Sequence, residues 1–86
     1  MTRNFYFSTG IDIEDISILD QGIELVISQH RDYIYNTKFI GKDGEVLKEV
    51  PGLRPKYEFN GKEEYVRASI KSSIGTRAWT QPVFLK

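Results

Sequence analysis

The chain has 86 residues, 40% of them apolar, with twelve basic and twelve acidic side chains and no cysteine. That length holds one domain around one core, and the missing cysteines exclude disulfide staples, zinc–thiolate centres and cysteine nucleophiles. A net charge of zero argues against a nucleic-acid partner held by counterion release, and no apolar run exceeds four residues, too short for a membrane-spanning segment.

Met1-Thr2-Arg3-Asn4 leads at once into a strand-like run rather than an apolar leader, so no secretory signal is visible and a cytoplasmic location is expected. Asn4–Ser8 is aromatic-rich and strand-like, and Ser8-Thr9-Gly10 reads as a turn. Ile11, Ile13, Ile16 and Ile18 alternate with polar residues but slip phase at Glu14-Asp15, which predicts a bulge or loop there. After the turn Asp20-Gln21-Gly22, the alternating Ile23, Leu25 and Ile27 are expected to face a core. His30-Arg31-Asp32 breaks the run, and Tyr33–Ile40, rich in aromatic and β-branched residues, reads as a strand.

Asp43-Gly44 marks a hairpin turn within Gly41–Gly44, followed by a return strand over Glu45–Val50. Leu53–Asn60 is extended but interrupted by Pro55, which suits a sheet edge, and Asn60-Gly61 turns again. Tyr65–Ser72 is the clearest strand, with Val66, Ala68 and Ile70 on one face and Tyr65, Arg67, Ser69 and Lys71 on the other. Ile74-Gly75 turns the chain into a last strand, Arg77–Leu85, bent at Pro82. Seven or eight short antiparallel strands at roughly ten-residue spacing predict an all-β, immunoglobulin-like sandwich spanning residues 1–86 as one domain; a small, partly open barrel is the alternative.

Charge is uneven along this pattern. Residues 11–24 carry Asp12, Glu14, Asp15, Asp20 and Glu24 without a base, whereas the charged residues from Tyr65 onward are Arg67, Lys71, Arg77 and Lys86. The simpler expectation is that first and last strands lie side by side and their charges compensate across the ladder; the other is a dipole that binds a partner.

No complete catalytic set emerges. The only imidazole is His30, and a hydrolytic zinc site takes three protein ligands. Asp12, Glu14 and Asp15 offer the oxygens that calcium takes, but at no calcium-loop spacing, so a solvated acidic face is favoured over an enzyme built on His30 and these acids. Glu63 and Glu64 are adjacent and in a strand would face opposite sides. Tyr33, Tyr35, Tyr57, Tyr65 and Trp79 are the candidates for an aromatic platform, with Tyr33, Tyr35 and Tyr65 the contacts of a carbohydrate- or protein-binding module. Trp79 is instead expected in the core, where truncation to alanine would cost about 3–5 kcal/mol.

Two stretches together carry a family resemblance: Phe5-Tyr6-Phe7-Ser8-Thr9-Gly10 with the Ile-Asp-Ile-Glu-Asp-Ile run after it, and Tyr65-Val66-Arg67-Ala68, Gly75 and Ala78-Trp79-Thr80-Gln81-Pro82-Val83-Phe84-Leu85. The chain resembles the C-terminal β-sandwich domain of PHP-type metal-dependent phosphoesterases. There a "FYxSTGP"-like strand leaves the catalytic barrel and a "YVRxxIxxxxGxxAWTxPIxL"-like hairpin closes the chain. The likeness covers Phe5 to Lys86, and Ala-Trp-Thr-Gln-Pro is its most specific part; Ile11 departs from the family's usual proline. The resemblance implies a non-catalytic accessory domain from the C-terminus of a larger hydrolase. Its partner would be the upstream catalytic domain of the same polypeptide, which it would pack on and stabilise, and the divalent metal would belong to that domain. No catalytic, cofactor or metal ligand carries over to this chain. Trp79 and Pro82 are the implied structural motif, and Ser8, Thr9 and Gly10 the implied domain junction, with neither nucleic acid nor membrane as partner.

Overall fold

Period-two sequence becomes strand almost throughout the computed structural model, which describes residues 6–8, 10–29 and 31–85. In chain order the elements are β1 (Tyr6–Ser8), β2 (Ile13–Ile18), β3 (Gly22–Ile27), β4 (Tyr35–Ile40), a single 3-10 turn (Lys42–Gly44), β5 (Val46–Pro51), β6 (Lys56–Glu58), β7 (Tyr65–Ser72), β8 (Arg77–Thr80) and β9 (Val83–Phe84). The larger sheet runs β1-β8-β7-β4-β5, with β9 also on β7, and the smaller runs β2-β3-β6. All pairings are antiparallel. β2, β3 and β6 thus take the places of strands A, B and E of an immunoglobulin-like sandwich, and β8, β7, β4 and β5 those of G, F, C and C′. Two separate sheets, rather than one closed ladder, exclude the barrel.

The core lies between the sheets. Ile13, Ile16, Ile23, Leu25, Ile27 and Tyr57 from the smaller sheet meet Tyr35, Phe39, Val66, Ala68, Ile70 and Ala78 from the larger, with Ile11 beside them. The bulge expected at Glu14-Asp15 is present: the register moves from Ile13 opposite Ile27 to Asp15 opposite Val26. One extra residue lets Ile13 and Ile16, three apart, both point inward. Gly22 is required by close approach, since a Cβ there would lie 2.3 Å from the Tyr57 carbonyl oxygen of the neighbouring strand. The expected edge segment is also found: the Leu25 and Ile27 N–H groups donate to the Pro55 and Leu53 carbonyls at 3.0 and 2.8 Å. The 53–58 segment forms the outer border of the smaller sheet, where proline's missing N–H costs nothing.

The strand count exceeds expectation because the final strand is split. From Ser69 to Val66 β7 takes three steps, while its partner takes four, from Trp79 to Val83. Pro82 falls in the gap, where it has no N–H to offer a ladder. The Ala68 N–H is met instead by the Thr80 hydroxyl oxygen at 2.9 Å, so a buried donor is satisfied by a side chain where the backbone pairing lapses. β1 pairs with β8, placing Phe7 opposite Trp79 and Ser8 opposite Ala78.

Candidate ligand-binding face

Strand alternation sends every second residue of β4, β7 and β8 away from the core. Lys38, Lys71, Arg77 and Trp79 are exposed on that outer face, and Asn36, Arg67 and Ser69 are partly so. Pairing sets them in rows. Lys71 lies directly between Arg77 and Asn36, and Ser69 directly between Trp79 and Lys38, which in turn faces Glu49. The rows floor a shallow concavity of about 520 Å³ lined by Asn36, Lys38, Glu49, Ser69, Lys71 and Arg77, with Ile34 and Ser73 at its end. The Asn36 amide donates to the Glu49 carboxylate, and the Ser73 hydroxyl oxygen accepts the Ile34 N–H at 3.1 Å. Among the described residues neither Lys38 nor Lys71 enters a salt bridge.

The acids lie elsewhere. Asp15 pairs with Val26 and Ser17 with Glu24 on the outer face of the smaller sheet, where Glu24 also faces Lys56. The Lys56–Glu24 ion pair, 3.8 Å and solvated, contributes at most about 1 kcal/mol. The expectation that the acidic 11–24 segment and the basic C-terminal strands compensate across a shared ladder is therefore corrected. β1 does pair with β8, but the acidic β2–β3 segment belongs to the opposite sheet, so the outer face of the larger sheet is basic, while on the other sheet Asp15 and Glu24 lie among Lys56 and Arg54.

Two expected aromatic positions are also corrected. Trp79 is 39% exposed rather than buried. Its neighbours Ala78 and Thr80 point inward, at 0% and 2% exposure, and alternation leaves the indole on the outer face. Tyr35, expected as a ligand contact, is 2% exposed, because it shares its face with Thr37 and Phe39, which line the core. Tyr33 is half-buried against the core, and Tyr65 is half-buried with its ring 5.5 Å from that of Phe84. The three tyrosines do not form an exposed row.

His30 and Thr9 lie outside the described residues. Gly10 has φ of +118°, as a turn glycine would, and a Cβ there would touch the Thr76 methyl at 3.0 Å. Asp12, Glu14 and Asp15 are exposed, and Asp15 accepts a hydrogen bond from the Ser17 hydroxyl at 3.1 Å. Among the described residues no group of three histidines, cysteines or acids is placed to hold a metal ion, and no helix is long and apolar enough to cross a membrane.

A second polar constellation sits at the other end of the sandwich. The Glu63 carboxylate accepts hydrogen bonds from the Tyr57 hydroxyl and from the Asn60 and Gly61 N–H groups, the latter two at 2.9 and 3.1 Å. Burial, followed by the hydrogen bond to Glu63, pushes the Tyr57 phenol up to about 12. For Glu63 burial acts upward, but the hydrogen bonds from Tyr57, Asn60 and Gly61 outweigh it and hold the carboxyl below its ordinary value. These bonds tie the Asn60–Glu63 turn to a ring stacked on Phe39 at 5.5 Å, a holding role rather than a reactive one.

The basic stretch of Arg67, Lys71 and Arg77 was visible in the sequence, but not that Lys38, 33 and 39 positions from Lys71 and Arg77, joins it. Lys71 was legible as outward-facing, but only the pairing of β4, β7 and β8 brings Lys38, Lys71 and Arg77 together. In comparison with protein-family models, curated proteins and solved structures, the chain matches none.

Proposed function

We propose that the chain is a non-catalytic accessory domain of a PHP-type metal-dependent phosphoesterase, which packs on an upstream catalytic domain in the cytoplasm and stabilises it. The divalent metal and its ligands belong, in this reading, to the catalytic domain. The observation that carries it is the meeting of the two stretches on which the resemblance rests. Tyr6–Ser8 and Arg77–Thr80, some seventy positions apart, pair strand to strand, with Phe7 opposite Trp79. The end of the first stretch and part of the second thus lie side by side in one sheet, while the Ile-Asp-Ile-Glu-Asp-Ile run continues into β2 of the other.

The test is co-expression of this chain with a PHP-type catalytic domain from the same genome. Co-elution in size-exclusion chromatography and a raised thermal midpoint for the catalytic domain are expected; separate elution with an unchanged midpoint overturns the reading. The alternative, a stand-alone binding module, gains support from the exposed Trp79 beside Ser69 and Lys38, although not from Tyr33, Tyr35 and Tyr65.

A further inference from the structure

We propose that the upstream catalytic domain docks on the β9 end of the larger sheet's outer face, with Arg67 at the centre of the contact. The inference rests on the accessory-domain reading above and names the surface that reading needs. Strand pairing gathers six side chains there. Arg67 lies opposite Ile40, and Ile40 opposite Val46. Two residues along β7, on the same face, Tyr65 lies opposite Phe84, with their rings 5.5 Å apart. Trp79 stands opposite Ser69, two residues from Arg67 in the other direction. Phe84 is 73% exposed, Val46 49% and Trp79 39%, so the fold leaves large apolar side chains open to solvent at one corner of the sheet.

This corner has the composition of an interface core, where aromatic and arginine side chains are enriched and lysine and acids depleted. Anchors of that kind carry most of the energy of a contact. The other half of the same face, with Lys38, Glu49 and Lys71, is composed as solvated surface is. Arg67 is half-buried, and its neighbours on that face, Tyr65, Ser69 and Ile40, carry no charge. Among the described residues it enters no salt bridge or side-chain hydrogen bond. Covering an unpaired guanidinium is costly, so the docking domain must bring a carboxylate, which the arginine fork meets with two parallel hydrogen bonds. Around that carboxylate it must be apolar, to meet Phe84, Tyr65 and Val46. Chain direction agrees. β1 runs from Tyr6, opposite Thr80, to Ser8, opposite Ala78, so its starting end points toward β9 and Phe84. A domain preceding β1 is tethered on this side of the sheet, and a tether raises the effective concentration enough for a modest patch to hold it.

The experiment titrates the whole chain into the purified PHP-type catalytic domain by calorimetry, with hydrogen exchange to locate the contact. Slowed exchange is expected at Ile40, Val46, Arg67 and Phe84 in the complex. Phe84→Ser and Arg67→Gln should each weaken binding about tenfold. Leu19→Ser at the β2–β3 turn, itself 47% exposed, and Lys71→Gln on the other half of the same face leave it unchanged. The melting midpoint of each free variant separates lost docking from lost folding. A complex indifferent to Phe84→Ser and Arg67→Gln, or one that protects another surface, overturns the docking face and leaves the accessory reading standing. No complex with the unaltered chain overturns both. Protection of this corner that grows with the concentration of the free chain makes it a contact between copies, and binding to phosphatidylserine vesicles without binding to the catalytic domain makes it a membrane contact; either result overturns the proposal.

Discussion

Glu63→Ala removes three hydrogen bonds from one carboxylate, and the cost can be worked bond by bond. The donors at Asn60 and Gly61 belong to exposed residues, so water replaces the carboxylate there and each loss is worth about 0.5 kcal/mol or less. Tyr57 is only 6% exposed, and its hydroxyl, donating to a charged acceptor, contributes about 1–1.5 kcal/mol. The sum is about 2 kcal/mol, which lowers the melting midpoint of a domain this size by about 10 °C. Tyr57→Phe should lose only the hydroxyl's share, and the double variant little more than Glu63→Ala alone, since both remove the same bond. The pH dependence has a definite sign. Glu63 is held below its unfolded value, so its contribution is complete above the ordinary carboxylate pKa and fades as pH falls through the lower folded value. Tyr57 is raised from 10.0 to about 12, so its contribution is complete below pH 10 and is lost as pH climbs through that window. Urea unfolding at neutral pH, in acid and in alkali would measure both. A Glu63→Ala penalty under about 0.5 kcal/mol at neutral pH, or one that does not shrink in acid, would refute the reasoning.

Other substitutions test single features of the fold by the same unfolding assay. Thr80→Val leaves the buried Ala68 N–H without its acceptor and should cost about 1–3 kcal/mol, whereas Thr80→Ser, which keeps the oxygen, should recover much of that. The Thr37 hydroxyl is buried with no hydrogen-bond partner among the described residues, so Thr37→Val should stabilise by about 1 kcal/mol; a loss of stability would mean that the oxygen is satisfied. Trp79→Ala should cost about 1–2 kcal/mol, less than the roughly 3–5 kcal/mol of a buried aromatic, and acrylamide should quench the indole readily, whereas a well-shielded fluorophore would contradict its outward position.

Strand existence was legible wherever burial and alternation agreed. Val66, Ala68 and Ile70 are a run of three inward residues without a competing phase, and β7 begins and ends where the pattern says. Pro55 and the Glu14-Asp15 slip were equally readable, because a missing N–H and a broken period each have one structural consequence. Phase failed where large aromatics stood on both parities. Tyr35 and Trp79 look alike as candidates for surface or core, and the choice was made by their neighbours: Phe39 drew Tyr35 inward, and the small Ala78 with Thr80 occupied the inner face of β8, leaving the indole outside. A lone tryptophan in a short strand is placed by what flanks it, not by its own hydrophobicity.

The candidate site was hidden for a different reason, one rooted in topology. An immunoglobulin-like sandwich sends the early strands β2 and β3 to one sheet and the late strands β7 and β8 to the other, so charge segregated along this chain becomes charge segregated between faces. A net charge of zero therefore conceals a basic outer face on the larger sheet, although single ion pairs such as Lys56–Glu24 and Lys42–Glu64 still form along the surface. Lys38 completes the basic face because β4 pairs with β7 and sets it opposite Ser69, one row from Lys71. Lys38, Arg67, Lys71 and Arg77 thus share one outer face although they come from three strands and are scattered along the sequence.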